Sequence, residues 1–169
     1  MPLNIATLSI IPYTLYRATK LRNLHMLKTL IYKTTNSGLR PHVTFVYKIY
    51  NTGEFVISCA YHDEAPKILK KQIPESDIKK ILDIIDKNSH LFSVKKVELA
   101  DEILALDSSS TEVFFSDGQR SNTLYVADSF ALSLDKSVGY PNTHMLAQLD
   151  DSIDKIMGKY YSEDEIRWY

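Results

Sequence analysis

Hydrophobic and polar positions alternate most clearly between Val43 and Tyr61. Val43, Phe45, Tyr47 and Ile49 fall on one side of an extended chain, and Thr44, Val46, Lys48 and Tyr50 on the other. The run meets Asn51-Thr52-Gly53 and returns as Glu54 to Tyr61. Two segments rich in β-branched and aromatic residues, joined by a short turn with glycine, predict a β-hairpin. Pro74 then opens a predicted helix that ends near Asn88, with Ile78, Ile81, Leu82 and Ile85 at helical spacing. A hairpin is not stable alone, so this apolar helix face is its expected cover.

The flanking chain reads less cleanly. Residues 16–33 predict a helix with Leu21, Leu24, Leu27, Leu30 and Ile31 drifting around one side, ended by the turn cluster Thr34 to Gly38. Leu30 to Thr35 also has strand composition, so the alternative over part of 26–34 is a third strand beside the hairpin. His62 to Pro66 reads as a loop, and Leu91 to Leu99 as a strand with imperfect alternation. Asp101 to Leu106 fits a short helix or a strand, and Asp107 to Ser110 is a turn by composition. A second hairpin follows, Thr111–Phe115 and Asn122–Ala127 around Asp117-Gly118. The last predicted helix has Asn142 or Thr143 as N-cap, an apolar face of Met145, Leu146, Leu149, Ile153, Ile156 and Met157, and Gly158 as its stop.

These elements predict one α+β domain: a mostly antiparallel sheet built from two hairpins plus one or two further strands, with helices packed on one side. It divides into a basic segment, 1–41, a hairpin–helix–strand–hairpin–helix body, 42–158, and an aromatic and acidic tail, 159–169, expected to pack back as a short element. A chain of 169 residues suits one domain with a real core. The one cysteine, Cys59, forms no intramolecular disulfide and reads as a small buried hydrophobe mid-strand, in keeping with a reducing compartment. The stretch Leu3 to Leu15 is interrupted by Asn4, Thr7, Ser9 and Pro12, short of the roughly 20 apolar residues a spanning helix needs. No basic residue precedes it, unlike a secretory signal. A soluble, cytoplasmic protein is expected.

Charge changes the picture more than composition does. Residues 1–41 carry Arg17, Lys20, Arg22, Lys28, Lys33 and Arg40 and no acid, while the other 128 residues carry 14 basic and 21 acidic groups. Arg17, Lys20, Arg22 and Lys28 are therefore candidate contacts to nucleic acid or an anionic membrane surface. The same composition suits a transit peptide. It equally suits a segment that lies against its own acidic domain.

Candidate chemistry is sparse. His25, His42, His62, His90 and His144 form no zinc-type pair, and the adjacent His62-Asp63-Glu64 point in different directions, so no metal or cofactor is expected. His42-Val43-Thr44 puts His42 and Thr44 on one strand face. This His-x-Thr resembles half of the signature of the two-histidine phosphodiesterases, which implies a phosphodiester hydrolase using His42 and Thr44. The second His-x-Thr/Ser is missing, and one histidine does not supply both general base and general acid. Ser108 to Thr111 lacks a nucleophile-elbow motif and reads as a turn. Asp83/Asp86 and Asp150/Asp151/Asp154 read as solubilising charges opposite the apolar helix faces. With no catalytic constellation but eleven tyrosines and an aromatic end at Trp168 and Tyr169, the expectation is a non-catalytic domain that binds another protein, of inhibitor, immunity or adaptor type.

Overall fold

The computed structural model describes residues 29–37, 43–61, 64–98, 109–127, 129–135 and 137–166. Their centre is an open, fully antiparallel sheet of six strands: β1 Thr29–Asn36, β2 Val43–Tyr50, β3 Glu54–Tyr61, β4 Lys67–Gln72, β5 Ser110–Ser116 and β6 Ser121–Val126. The spatial order is β4-β3-β2-β1-β5-β6. Helices α1 Glu75–Lys87, α2 Pro141–Met157 and the short α3 Glu163–Ile166 accompany the sheet, with 3-10 turns at Ser89–Ser93 and Ser129–Leu132. Among the described residues no helix is long and apolar enough to cross a membrane.

The first hairpin forms as the alternation predicts, with Tyr47 opposite Ile57 and Ile49 opposite Phe55. Its turn closes through Gly53 N–H donating to Tyr50 O at 2.9 Å, and Gly53 has φ 83°. The predicted α1 covers it with Ile78, Ile81 and Ile85, all buried. The second hairpin also stands where Asp117-Gly118 places it.

Three expectations are corrected. Residues 29–33 are strand, so the helix predicted over 16–33 does not extend through them, and the alternative of a third strand holds there. β1 runs between β2 and β5, and two ladders of backbone hydrogen bonds outweigh the weak helical spacing of Leu27, Leu30 and Ile31. Leu91 to Glu98 is not a strand: a 3-10 turn leads into irregular chain. Leu91, Val94 and Val97 are the buried positions, every third residue, which no strand produces. Finally, Lys67–Gln72 forms a strand that the pattern did not reveal, since its four long polar side chains leave only Ile68 and Leu69 apolar. The ambiguous stretch 101–106 lies outside the described residues.

The core lies between the sheet and the helices. Ile31, Ile49, Phe55 and Ile57 meet Ile81, Ile85, Leu146 and Ile153, each at most 1% exposed. Each such side chain contributes about 1.5–3 kcal/mol of burial. The tail packs back as expected: Ile166 is buried, and the Tyr161 ring sits 5.9 Å from that of Phe55.

Candidate functional site

The register of β1 on β2 sets Lys33 directly opposite Tyr47, both on the face toward α2. α2 answers with Asp150 and Asp154, one turn apart and therefore on one side of the helix. Lys33 Nζ donates to both Asp150 oxygens at 2.6 Å and to Asp154 Oδ2 at 3.4 Å. The Tyr47 hydroxyl donates to Asp154 Oδ1 at 3.2 Å, and Lys33 Nζ lies 5.6 Å from the Tyr47 ring centre. The Lys33 and Asp150 side chains are 12% and 11% exposed, whereas Asp154 is 43% exposed. Asp150 is thus no solubilising charge. Its position between Leu146 and Ile153 puts it inside the apolar arc of α2, where only an ion pair stabilises a carboxylate.

Charge and burial compete here. Burial disfavours the charged ammonium, but Asp150 and Asp154 together hold the Lys33 pKa above its usual value. Burial pushes the Asp150 carboxyl up, with Lys33 opposing and Asp154 reinforcing. Burial also drives the Tyr47 phenol well above its ordinary range, helped by the charges of Asp154 and Asp150. Every donor in the cluster already points at an acceptor within it. A general acid or base must reach a substrate with its proton or lone pair. The geometry therefore describes a clamp between sheet and helix.

Ser137 and His144 bring a serine hydroxyl against a histidine ring, Oγ to Nδ1 at 2.8 Å. Ser137 is 1% exposed, and its hydroxyl also donates to Leu134 O at 3.1 Å. Gln148 Nε2 meets His144 Nε2 at 3.1 Å, which makes that ring nitrogen the acceptor. The neutral ring then carries its proton on Nδ1 and donates to Ser137. A base with its lone pair turned away from the hydroxyl does not activate it.

The N-terminus of α2 is capped from a distance. Tyr140 occupies the N-cap position without a side-chain bond, and neither Asn142 nor Thr143 caps the helix as predicted. Instead Glu98 Oε2 accepts from the Asn142 and Thr143 N–H groups at 3.2 and 3.3 Å, and Oε1 from Asn142 Nδ2 at 2.5 Å. The Thr143 hydroxyl donates to Glu98 O, and His90 Nε2 bonds Asn142 Oδ1 at 3.2 Å. These donors lower the Glu98 carboxyl against an opposing push from burial, the largest single influence. At the other end the helix stops at Gly158 with φ −57°, in ordinary right-handed backbone, so the glycine's freedom is not what ends it.

A third polar cluster ties α1 to the tail. Asp77, 5% exposed, accepts from Lys80 Nζ and the Tyr160 hydroxyl at 2.6 Å each and from Lys159 Nζ at 3.4 Å. The Lys80 and Tyr160 hydrogen bonds hold its carboxyl down at about 2, and Tyr160 is pushed up to about 12 by burial and by Asp77.

Of the residues the sequence singled out, Thr44 donates its hydroxyl to Asn36 Oδ1 at 3.0 Å on the exposed side of the sheet. His42, His62, Arg17, Lys20, Arg22, Lys28, Trp168 and Tyr169 lie outside the described residues. Cys59 is buried, and desolvation pushes its thiol up, away from reactivity. Thr111, from the hydroxyl cluster, is buried with its Oγ1 2.6 Å from Ser129 Oγ and 3.1 Å from Thr35 Oγ1. Among the described residues no group of three or more His, Cys, Asp or Glu side chains is placed to hold a metal.

The described helices leave the far face of the sheet uncovered, although Phe114 on that face is only 4% exposed. Tyr32, Val46, Lys48, Val56, Ile68 and Tyr125 alternate with the core positions and point away from α1 and α2. Ile68 and Tyr125 are 56% and 60% exposed, and Lys48 Nζ sits 5.0 Å from the Tyr32 ring centre. No protein-family model matches the chain, and no curated protein matches its sequence.

Proposed function

We propose that this chain is a non-catalytic domain that binds another protein through the sheet face its described helices leave open. The observation that carries the reading is that, among the described residues, α1, α2 and α3 contact the face bearing Tyr47 and Phe55, while Ile68 and Tyr125 stand exposed on the other, on either side of the half-buried Tyr32 and Val46 and the buried Phe114. Tyrosine and aliphatic side chains beside a cationic one are the composition that recurs at the centres of protein interfaces. The polar clusters support the same reading, because Lys33–Asp150, Ser137–His144 and Glu98–Asn142 have their hydrogen bonds satisfied internally. A single cysteine, buried mid-strand, is in keeping with the cytoplasm as its location.

A photo-crosslinking residue placed at Tyr125 or Ile68, and separately at Asp83 on α1, tests this in cells. The outer-face positions are expected to give one discrete adduct that Lys48→Glu abolishes, and Asp83 none. Equal adducts from both faces, or none from the sheet, would overturn the reading.

A further inference from the structure

The two edges of the sheet differ. β6 is blocked near its start: Asn122 Oδ1 accepts the N–H of Thr123 at 2.8 Å, while Asn122 Nδ2 donates to Leu91 O and Val94 O at 2.8 Å each. The chain at 91–94 is thereby tied beside that strand, a common way to cover an edge. β4 has no such cover among the described residues. Ile73 N–H donates to Gly53 O at 2.8 Å, and Lys71, Leu69 and Lys67 follow it at alternate positions opposite Phe55, Ile57 and Cys59. In an antiparallel ladder this alternation turns the backbone groups of Lys67, Leu69 and Lys71 toward β3. Those of Ile68, Lys70 and Gln72 then face outward, along an edge without a register shift.

We propose that the open edge of β4 accepts an extended acidic segment of a partner protein as a seventh strand. Charge selects the occupant. The edge carries Lys67, Lys70 and Lys71, of which Lys71 alone is ion-paired among the described residues, to Glu165 at 2.9 Å. A second copy adding to the same edge would bring lysines against lysines, which cross-strand pairing disfavours. An acidic strand meets the same lysines favourably, and backbone hydrogen bonds to Ile68, Lys70 and Gln72 hold it. The exposed Ile68 sets one apolar position on the partner, two residues from the acid that faces Lys70. This deepens the protein-binding reading and rests on it for its biological meaning, while its physical test is separate.

The probe is a blocked peptide, Thr-Glu-Thr-Glu-Thr-Val-Glu-Thr, whose fourth, sixth and seventh residues can face Lys70, Ile68 and Lys67 in an antiparallel register, titrated into isotope-labelled full-length protein, with the same peptide bearing Lys for Glu as control. The amides of Ile68, Lys70 and Gln72 are expected to shift saturably and to exchange more slowly, and the response should weaken as salt rises. Lys67→Glu with Lys70→Glu should weaken binding roughly tenfold, the effect of two cross-strand charge pairs turned repulsive. Ile68→Pro removes an outward N–H that β3 does not use and should abolish binding, with the rest of the spectrum unchanged as evidence of folding. No response at these amides, or an equal response to the lysine peptide, would overturn the proposal. A protein crosslinked to the outer face while the peptide leaves β4 unperturbed would sink this inference and leave the functional reading standing. Peptide pairing at β4 without a crosslinked partner would do the reverse.

Discussion

Lys33 and Asp150 stand 117 positions apart in the chain and meet at 2.6 Å, both nearly buried, where the first described strand and the last long helix close on each other. The pair joins β1, one of the two middle strands of the sheet, to α2, and Tyr47 and Asp154 complete it. A buried pair adds little net stability over an apolar replacement, but breaking it strands a charge. Lys33→Met alone should cost about 3–5 kcal/mol in urea unfolding, and Lys33→Met with Asp150→Leu should recover most of that loss. A double variant as unstable as the single one would show that the two residues are not coupled.

The same cluster shapes the alkaline limit. Lys33, Tyr47 and Tyr160 hold their protons more tightly when folded than their ordinary values of 10.5 and 10.0 would allow. A group whose folded pKa is raised contributes stability that is complete below its unfolded pKa and lost as pH rises through the folded value. Unfolding free energy should therefore fall once pH passes about 10, and phenolate absorbance from Tyr47 should appear together with unfolding. Tyr47→Phe removes one contributor and should flatten that limb. A limb unchanged by Tyr47→Phe would count against the assignment.

Acid works with the opposite sign on Asp77. Its carboxyl is held at about 2 against an ordinary 3.8, so the stability it contributes is present above 3.8 and lost as pH falls toward 2. Asp117, Glu98 and Glu165 are lowered as well and act in the same direction, while Asp150, pushed up by burial, acts against them. Asp77→Asn should reduce the slope of stability against pH between 4 and 2 and release the tail, read as faster amide exchange around Tyr160. An unaltered slope in that variant would place the acid sensitivity elsewhere.

How much of this the chain discloses depends on the range of each interaction. The hairpin at Val43–Tyr61 and helix α1 were legible because alternation and helical spacing are local and each fits one period. β1 was ambiguous because Leu27, Leu30 and Ile31 suit a helix while Ile31, Lys33 and Thr35 suit a strand, and only the neighbours β2 and β5 decide. β4 was hidden by its lysines, whose alkyl stems serve a strand face without registering as apolar. The sign that Asp150 faces inward was present, since it falls within the arc of Leu146, Ile153 and Met157, but its partner lies on a distant strand. The cap of α2 was illegible for the same reason: Glu98 comes from 44 residues upstream.

That distant cap makes a separate prediction. Glu98 satisfies two N–H groups in the first turn of α2 and adds a negative charge where the helix dipole favours one. Glu98→Ala should cost about 1–2 kcal/mol and raise amide exchange at Asn142 and Thr143 more than in the body of the helix. Glu98→Gln keeps an acceptor oxygen but not the charge, so it should lose roughly half as much. Equal losses in the two variants would show that charge contributes nothing to the cap.

Gly53 offers the sharpest steric prediction. It sits at φ +83° in the first hairpin turn, and a Cβ there would come within 2.5 Å of Ile73 O and of Gln72 Nε2. The side chain of Gln72 can swing away, but Ile73 O belongs to the chain that leads from β4 into α1, so the backbone must move. Positive φ adds a cost of about 1 kcal/mol or more for any residue with a Cβ. Gly53→Ala should therefore destabilise by about 2 kcal/mol or more, well beyond Gly118→Ala, where φ is +89° but nothing lies within 4 Å of the added carbon. The comparison isolates the steric contribution, because both substitutions place alanine in left-handed backbone. Equal Tm losses in the two variants would mean that backbone conformation alone sets the cost and that the contact of Gly53 with Ile73 does not constrain the junction of β4 and α1.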